Sequence, residues 1–312
     1  MRKYMRISLL VVLLILFHNL GALAIPTSGG TDGIYSEWGL GLKAITMGKA
    51  FVGLADDASS LAWNPAGLGL LKQTEISAMF TRPFSDVSGI SYQSIVMAKP
   101  LTYSLGNVPN LTSTLGTLAF GVAYSRVGDL QERDSGGALG PSFTNTDLMA
   151  TFGYAKNIGK KSAFGLAFKV ENFRLYDYSD SAFGFDLGFI TEIGSRFKLG
   201  FKLENIHQPQ ITLKEESDTR PFTTWLGGSF NLMNYAVFSV ATSLQLSGKA
   251  TGHIGVEVKP HPMFSILGGY SSDSKEITTG VGFEYKMMRL RYGFGLTKFL
   301  GNTHRVELGF LL

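Results

Sequence analysis

Glycine accounts for 38 of the 312 residues, about 12% against a usual value near 7%, while charged residues make up 17% where about 25% is usual. There is no cysteine, which excludes a disulfide scaffold, a thiolate metal site and a cysteine nucleophile. The formal net charge of +4 falls to +1 once the first 24 residues are set aside, because Arg2, Lys3 and Arg6 stand there without an acid; no basic patch for nucleic acid remains.

Met1–Arg6 is a short cationic stretch, and Ile7–Phe17 (ISLLVVLLILF) is apolar but for Ser8. The run falls short of the ~20 residues a membrane-spanning helix needs. Ala22-Leu23-Ala24 then supplies a small-x-small pattern. This predicts a secretory signal peptide over 1–24, cleaved after Ala24, and hence a mature chain that begins near Ile25. No later stretch is long and apolar enough to predict a spanning helix.

Residues 25–71 show no strand alternation. Within them Asp56 is a candidate helix cap, and Asp57 suits the positive end of the same helix. Pro65 biases Asn64 out of the helical region. The small residues Ala58, Ser59, Ser60, Ala62 and Ala66 allow close packing, with Trp63 the bulky exception.

From residue 72 to the end the chain reads as fourteen short strands, the first at Gln73–Phe80 and the last at Thr303–Leu312. Their two faces differ. Phe183, Phe185, Leu187 and Phe189 share one side of a strand whose other side is Gly184, Asp186 and Gly188; Val306, Leu308 and Phe310 likewise oppose Arg305, Glu307 and Gly309. A solvated sheet face has no reason to be rich in glycine, whereas a crowded polar lumen does. The links alternate too. Gly159–Lys161, Gly194–Arg196, Met233–Asn234, Pro260–Met263 and Lys286–Met287 are short, and Gly128–Thr146, Arg174–Ser181 and His207–Pro221 are long; Pro100–Thr114 breaks the pattern. Short turns on one rim and longer loops on the other fit an outer-membrane barrel. The predicted fold class is all-β: a transmembrane antiparallel β-barrel of about 14 strands over 72–312, with 25–71 as an N-terminal plug, or hatch, because a lumen of that width exceeds what inward side chains fill.

The segment GLKAITMGKAFVGLADDASSLAWNPAGL, Gly41–Leu68, closely resembles the N-terminal signature of the PorV/PorQ family, within the wider group of FadL-like outer-membrane barrels. The resemblance continues through Gly128-Asp-Leu-Gln-Glu-Arg-Asp134, Phe183-Gly-Phe-Asp-Leu-Gly188 and Gly301-Asn-Thr-His-Arg305, and spans nearly all of the mature chain. It implies a 14-stranded barrel with an internal hatch and a hatch turn at Asn64-Pro65-Ala66. It also implies one of two roles: passing hydrophobic small molecules across the outer membrane, as FadL-like proteins do, or serving type IX protein secretion, as PorV-like proteins do.

Phe51, Trp63, Asn64, Pro65 and Ala66 are thus the candidate ligand-binding and hatch residues, with Phe51 and Trp63 expected to face the wall; Asp56 and Asp57 are structural residues of the plug. The lumenal charges, among them Lys169, Asp186, Lys202, Glu257, Arg291, Arg305 and Glu307, are nearly balanced in sign, which suits paired ions better than an ion-selective pore. His207, His253, His261 and His304 show no metal-ligand spacing. No pattern brings Ser271, His253 and an acid together, so neither an enzyme, a metal nor a cofactor is expected. The expected partners are outer-membrane lipid, with hydrophobic small molecules or secretion-system proteins. An apolar pocket between plug and wall favours the conduit role.

Overall fold

The computed structural model describes residues 38–85, 87–104, 112–133, 136–214, 216–232, 235–296 and 301–312. The expected signal peptide and the first part of the expected plug, 25–37, lie outside the described residues.

Sixteen strands follow one another from Glu75 on. β1 (Glu75–Arg82), β2 (Ile90–Ser104), β3 (Thr112–Arg133), β4 (Leu139–Ile158), β5 (Ser162–Leu175), β6 (Tyr178–Ile193) and β7 (Phe197–Glu204) form the first half of the wall. β8 (Gln210–Leu213) and β9 (Glu216–Thr219) make a separate two-stranded hairpin. β10 (Thr223–Leu232), β11 (Ala236–Gln245), β12 (Ala250–His261), β13 (Phe264–Ser271), β14 (Glu276–Tyr285), β15 (Met288–Leu296) and β16 (Thr303–Leu311) complete it. Neighbours in sequence are antiparallel neighbours in space, β7 pairs with β10, and β1 pairs with β16. The result is a closed antiparallel barrel of 14 strands, so no sheet edge is left between its first and last strand.

The two faces are as the alternation predicts. On β6, Phe183, Phe185 and Phe189 point outward and stay exposed, while Ala182, Gly184, Asp186, Gly188 and Ile190 are buried inward. The same exposed apolar face recurs in Ile95 on β2, Phe152 on β4, Val240 on β11 and Val281 on β14. Such a continuous apolar belt is the surface a barrel presents to lipid.

Strand lengths depart from expectation at three links. Spanning strands need ~9–11 residues, and β14, β15 and β16 have 10, 9 and 9. β3 and β4 have 22 and 20, so most of the expected loop Gly128–Thr146 is a tall hairpin. Its bulges fall between Val127 and Leu130 and between Gln131 and Arg133. Beyond the belt neither strand face meets lipid, so the ladder continues without the apolar alternation that marks a strand in the sequence. On the opposite rim, β2 and β3 consume most of Pro100–Thr114; residues 105–111 lie outside the described residues. The expected loop His207–Pro221 contains the β8–β9 hairpin, which folds against the barrel: Pro209 meets Gly184, Ile211 is buried, and the Thr212 amide donates to Asp180 Oδ2 at 2.6 Å.

Arginine on the lipid face near the bilayer midplane costs about 2–4 kcal/mol and close to nothing near the interface. Phe185→Arg is therefore expected to cut the yield of folded protein in lipid vesicles sharply, and Tyr178→Arg, at the strand end, to leave it near wild type. Equal yields would refute the outward facing of β6.

Candidate functional site

Residues 38–71 lie along the inner face of the barrel and are buried almost throughout. They form helix α1 (Leu42–Thr46), helix α2 (Ser60–Trp63) and a 3-10 helix at Pro65–Leu70. The inward glycines explain how a chain fits there. A Cβ at Gly200 would meet the Val52 carbonyl, and one at Gly165 would meet the Pro65 carbonyl and the Ala66 nitrogen. Backbone thus lies on backbone, which no larger residue permits.

Asn64 is fully buried and extended (φ −163°, ψ 99°), as the following proline requires. Its side chain donates to Val52 O at 2.7 Å and to Phe189 O at 3.1 Å, and its Oδ1 accepts from the Ala66 amide at 3.2 Å. It therefore joins two limbs of the inner segment to β6. Pro65 opens the 3-10 helix, where a missing N–H costs nothing. Trp63 donates Nε1–H to Leu40 O at 2.7 Å, and its ring occupies the space a Gly39 side chain would need. The indole is thus engaged by the segment's own backbone. Phe51 is fully buried.

Ion pairs hold the segment to the wall. Lys43 contacts Asp56 and Glu257, each at 2.8 Å. Arg291 bridges Asp57 at 3.3 Å and Glu307 at 2.7 Å, and Glu307 also accepts from the Leu42 amide at 2.7 Å. Lys202 donates to Ala62 O at 2.7 Å and pairs with Asp186 at 3.2 Å and Glu204 at 3.0 Å. Lys49 pairs with Asp273 at 3.0 Å. Buried charges persist only when paired in this way, and breaking one pair strands its partner.

Asp56 does not cap a helix: α2 begins after Ser59 with no side-chain cap, and the Ser59 amide instead donates to Asp57 Oδ1 at 3.0 Å. The reason is competition, because Lys43 offers Asp56 a full charge where a helix end offers a partial one. Burial alone would push the Asp56 carboxyl up, but Lys43 outweighs it and holds the group down at about 2. Lys43 is raised above its ordinary value: burial opposes the charge, and Asp56 and Glu257 prevail.

The structure brings together three residues that sequence spacing left apart. His253 and Ser271 are cross-strand partners on β12 and β13, with Ser271 Oγ 2.9 Å from His253 Nδ1, and Asp273 accepts from the same hydroxyl. The acid contacts the serine rather than the histidine, so the nucleophile–base–acid order of a triad is absent. Both Ser271 and His253 are only 2% exposed. His253 Nδ1 also lies 3.0 Å from Gly48 O, so the cluster fastens the turn at Gly48 and Lys49. The signal that could have found it is the register of adjacent alternating strands.

Two cavities flank the inner segment. One of about 130 Å³ opens at the rim of the long hairpins, lined by Trp225, Gln245, Glu204, Lys49 and Asp273 among others. One of about 170 Å³ opens at the short-turn rim beside Lys43, Asp56, Glu257 and Arg291. Both are lined mainly by polar and charged residues, whereas the conduit role favours an apolar pocket between segment and wall. An apolar cavity of about 480 Å³ lies in the outer wall over β1–β3 and β16, lined by Phe80, Ile95, Val122 and Leu308.

Comparison with solved structures shows that the closed 14-stranded barrel matches the fold of FadL-type outer-membrane barrels. The Ralstonia pickettii toluene transporter TbuX matches with TM-score 0.57 and 14% identity over 89% of this chain and 98% of its own. The Pseudomonas putida toluene transporter TodX matches with TM-score 0.60 and 10% identity over 88% and 96%. A Pseudomonas aeruginosa FadL homologue matches with TM-score 0.56 and 8% identity over 85% and 97%. No family model and no curated protein matches the chain.

Gly200→Leu forces the Val52 carbonyl away, an overpacking of about 1–3 kcal/mol. It is expected to lower thermal stability and raise conductance in planar bilayers, whereas Gly252→Ala, where a side chain meets nothing within 4 Å, changes neither. Asp56 has a folded value below its unfolded one, so its contribution is complete above about pH 4 and is lost as pH falls towards about 2. Asp56→Asn is expected to make the inner segment accessible to protease at neutral pH, whereas the wild type stays protected there and loses protection only in that acid window.

Proposed function

We propose that this protein is a non-enzymatic outer-membrane conduit for hydrophobic small molecules, closed by residues 38–71 acting as a movable plug. One observation carries this reading: the inner segment meets the wall across two unlike surfaces. On one side are the discrete ion pairs of Lys43, Asp57 and Lys49 and the hydrogen bond from Lys202 to Ala62 O. On the other is an apolar seam. Leu40 and Leu61 lie on Gly121 of β3, and Leu61 and Leu68 lie on Gly153 of β4. Ala123, Met149 and Ala167 line the same side of the lumen. Separating the leucines from this small-residue wall uncovers an apolar path, while the charged side keeps the segment tethered. Phe51, Trp63, Asn64, Pro65 and Ala66 then belong to the plug itself, with Asn64 as the joint between its limbs. The polar cavities at the two mouths fit a closed state whose apolar path forms only on movement.

TbuX and TodX are toluene transporters, and the shared fold supports a hydrophobic cargo here. The type IX secretion role implied by the PorV/PorQ resemblance gains no support from the structural comparisons.

A Cβ built at Gly69 would stand 2.9 Å from Ala163 Cβ, about half an ångström inside the ~3.5–4.5 Å of a disulfide. In this cysteine-free chain, Gly69→Cys with Ala163→Cys can lock the 3-10 helix to β5, on the apolar side that has to release. Uptake of toluene by proteoliposomes is expected to stop when the pair is oxidised and to return with reductant. Undiminished uptake in the oxidised form would refute the movable plug, and no uptake by the wild type would refute the cargo.

A further inference from the structure

We propose that the lumen carries a second, separate binding site, at the rim of the long hairpins, for a small neutral polyhydroxylated ligand such as a single sugar ring. It goes beyond the conduit reading and does not depend on it. The site is the cavity of about 130 Å³ formed where β7, β10, β11 and β12 end or begin.

Its chemistry is unlike that of the apolar seam. Trp225 lines the cavity and is held in one orientation: Nε1–H donates to Glu204 Oε2 at 2.8 Å, and the indole packs on His253 with centroids 5.1 Å apart. A fixed aromatic face, negative at its centre, suits the C–H face of a sugar ring. Gln245 and Thr223 add an amide and a hydroxyl to the same lining.

Three of the four charges that line the site are held in ion pairs: Lys49 with Asp273 at 3.0 Å, and Glu204 with Lys202 at 3.0 Å; the fourth is the exposed Lys249. A charged or zwitterionic ligand would have to compete with those partners, leaving one of them stranded. A hydroxyl group escapes that cost, because it can donate to a carboxylate and accept from an ammonium while the pair stays intact. An apolar ligand would cover the same groups without replacing their hydration. The volume is well below the ~300–1,000 Å³ of sites for drug-sized molecules, which points to one ring rather than an oligomer.

The test uses the full-length protein in detergent. Trp225 is one of three tryptophans, and the other two, Trp38 and Trp63, are buried. Glucose, galactose and N-acetylglucosamine are titrated while tryptophan emission and heat are recorded; glutamate and toluene are run in parallel. At least one sugar is expected to give a saturable change, weakened at least tenfold by Trp225→Ala and by Gln245→Ala and retained by Trp225→Phe, with each variant shown to be folded by its thermal transition. Absence of a saturable response to all three sugars would overturn the proposal, as would saturation by glutamate alone or sugar binding unaffected by both alanine variants. Toluene uptake, measured separately, reports on the conduit reading, so either can fail without the other.

Discussion

Fourteen strands enclose more space than their inward side chains can fill, and closing that space is the constraint on which the rest of the structure depends. The chain meets it with its own residues 38–71 rather than with larger wall residues. That choice demands glycine on the inner face, since a wall bearing side chains would hold the segment off. Gly165 and Gly200 show the consequence: carbonyls of the segment occupy the places where side chains would begin. Much of the high glycine content is therefore a property of the lumen, while other glycines, such as Gly159 and Gly194, serve turns at positive φ.

Filling a polar lumen with chain buries charge, and the charges answer one another. Glu257 of β12 and Asp56 of the segment share Lys43; Glu307 of β16 and Asp57 share Arg291. Lys43–Glu257 and Arg291–Asp57 join parts of the chain far apart in sequence, so the segment is positioned by the finished barrel. Among the described residues, the apolar seam over β3 and β4 has no such ion pairs. A segment tethered on one side and packed on the other has a preferred direction of release, which connects its energetics to the proposed passage of hydrophobic molecules.

The rims divide the remaining work. At the short-turn rim, tight links such as Gly159–Lys161 and Gly194–Arg196 bring the strands back. At the opposite rim, β3 and β4 rise well past the apolar belt, and β8–β9 folds back with Arg220 reaching Glu171. Burial opposes the Arg220 charge, but Glu171 overcomes it and keeps the guanidinium above its ordinary value. This rim also holds the polar cavity beside Trp225, so the two ends of the lumen present different surfaces to an incoming molecule.

The number of barrel strands, their facing and the location of the segment without alternation are legible along the chain. Lipid on one side and a crowded lumen on the other impose a period of two on every spanning strand, and that period survives in Phe183–Ile190 or Arg305–Phe310 without reference to any other residue. Asn64 must likewise leave the helical region, because the restriction comes from its immediate neighbour, Pro65. Only the tertiary structure decided the partners. Asp56 pairs with Lys43 instead of capping a helix, Trp63 turns to Leu40 O, and His253 meets Ser271 across two strands. The hairpins beyond the belt belong to the same class, because their strands are held by pairing rather than by contact with lipid. A pattern that depends on a residue's own surroundings can be read along the chain; contacts between residues 13, 23 and 18 positions apart depend on how the inner segment turns back on itself and on the register of neighbouring strands, which no local stretch of sequence carries.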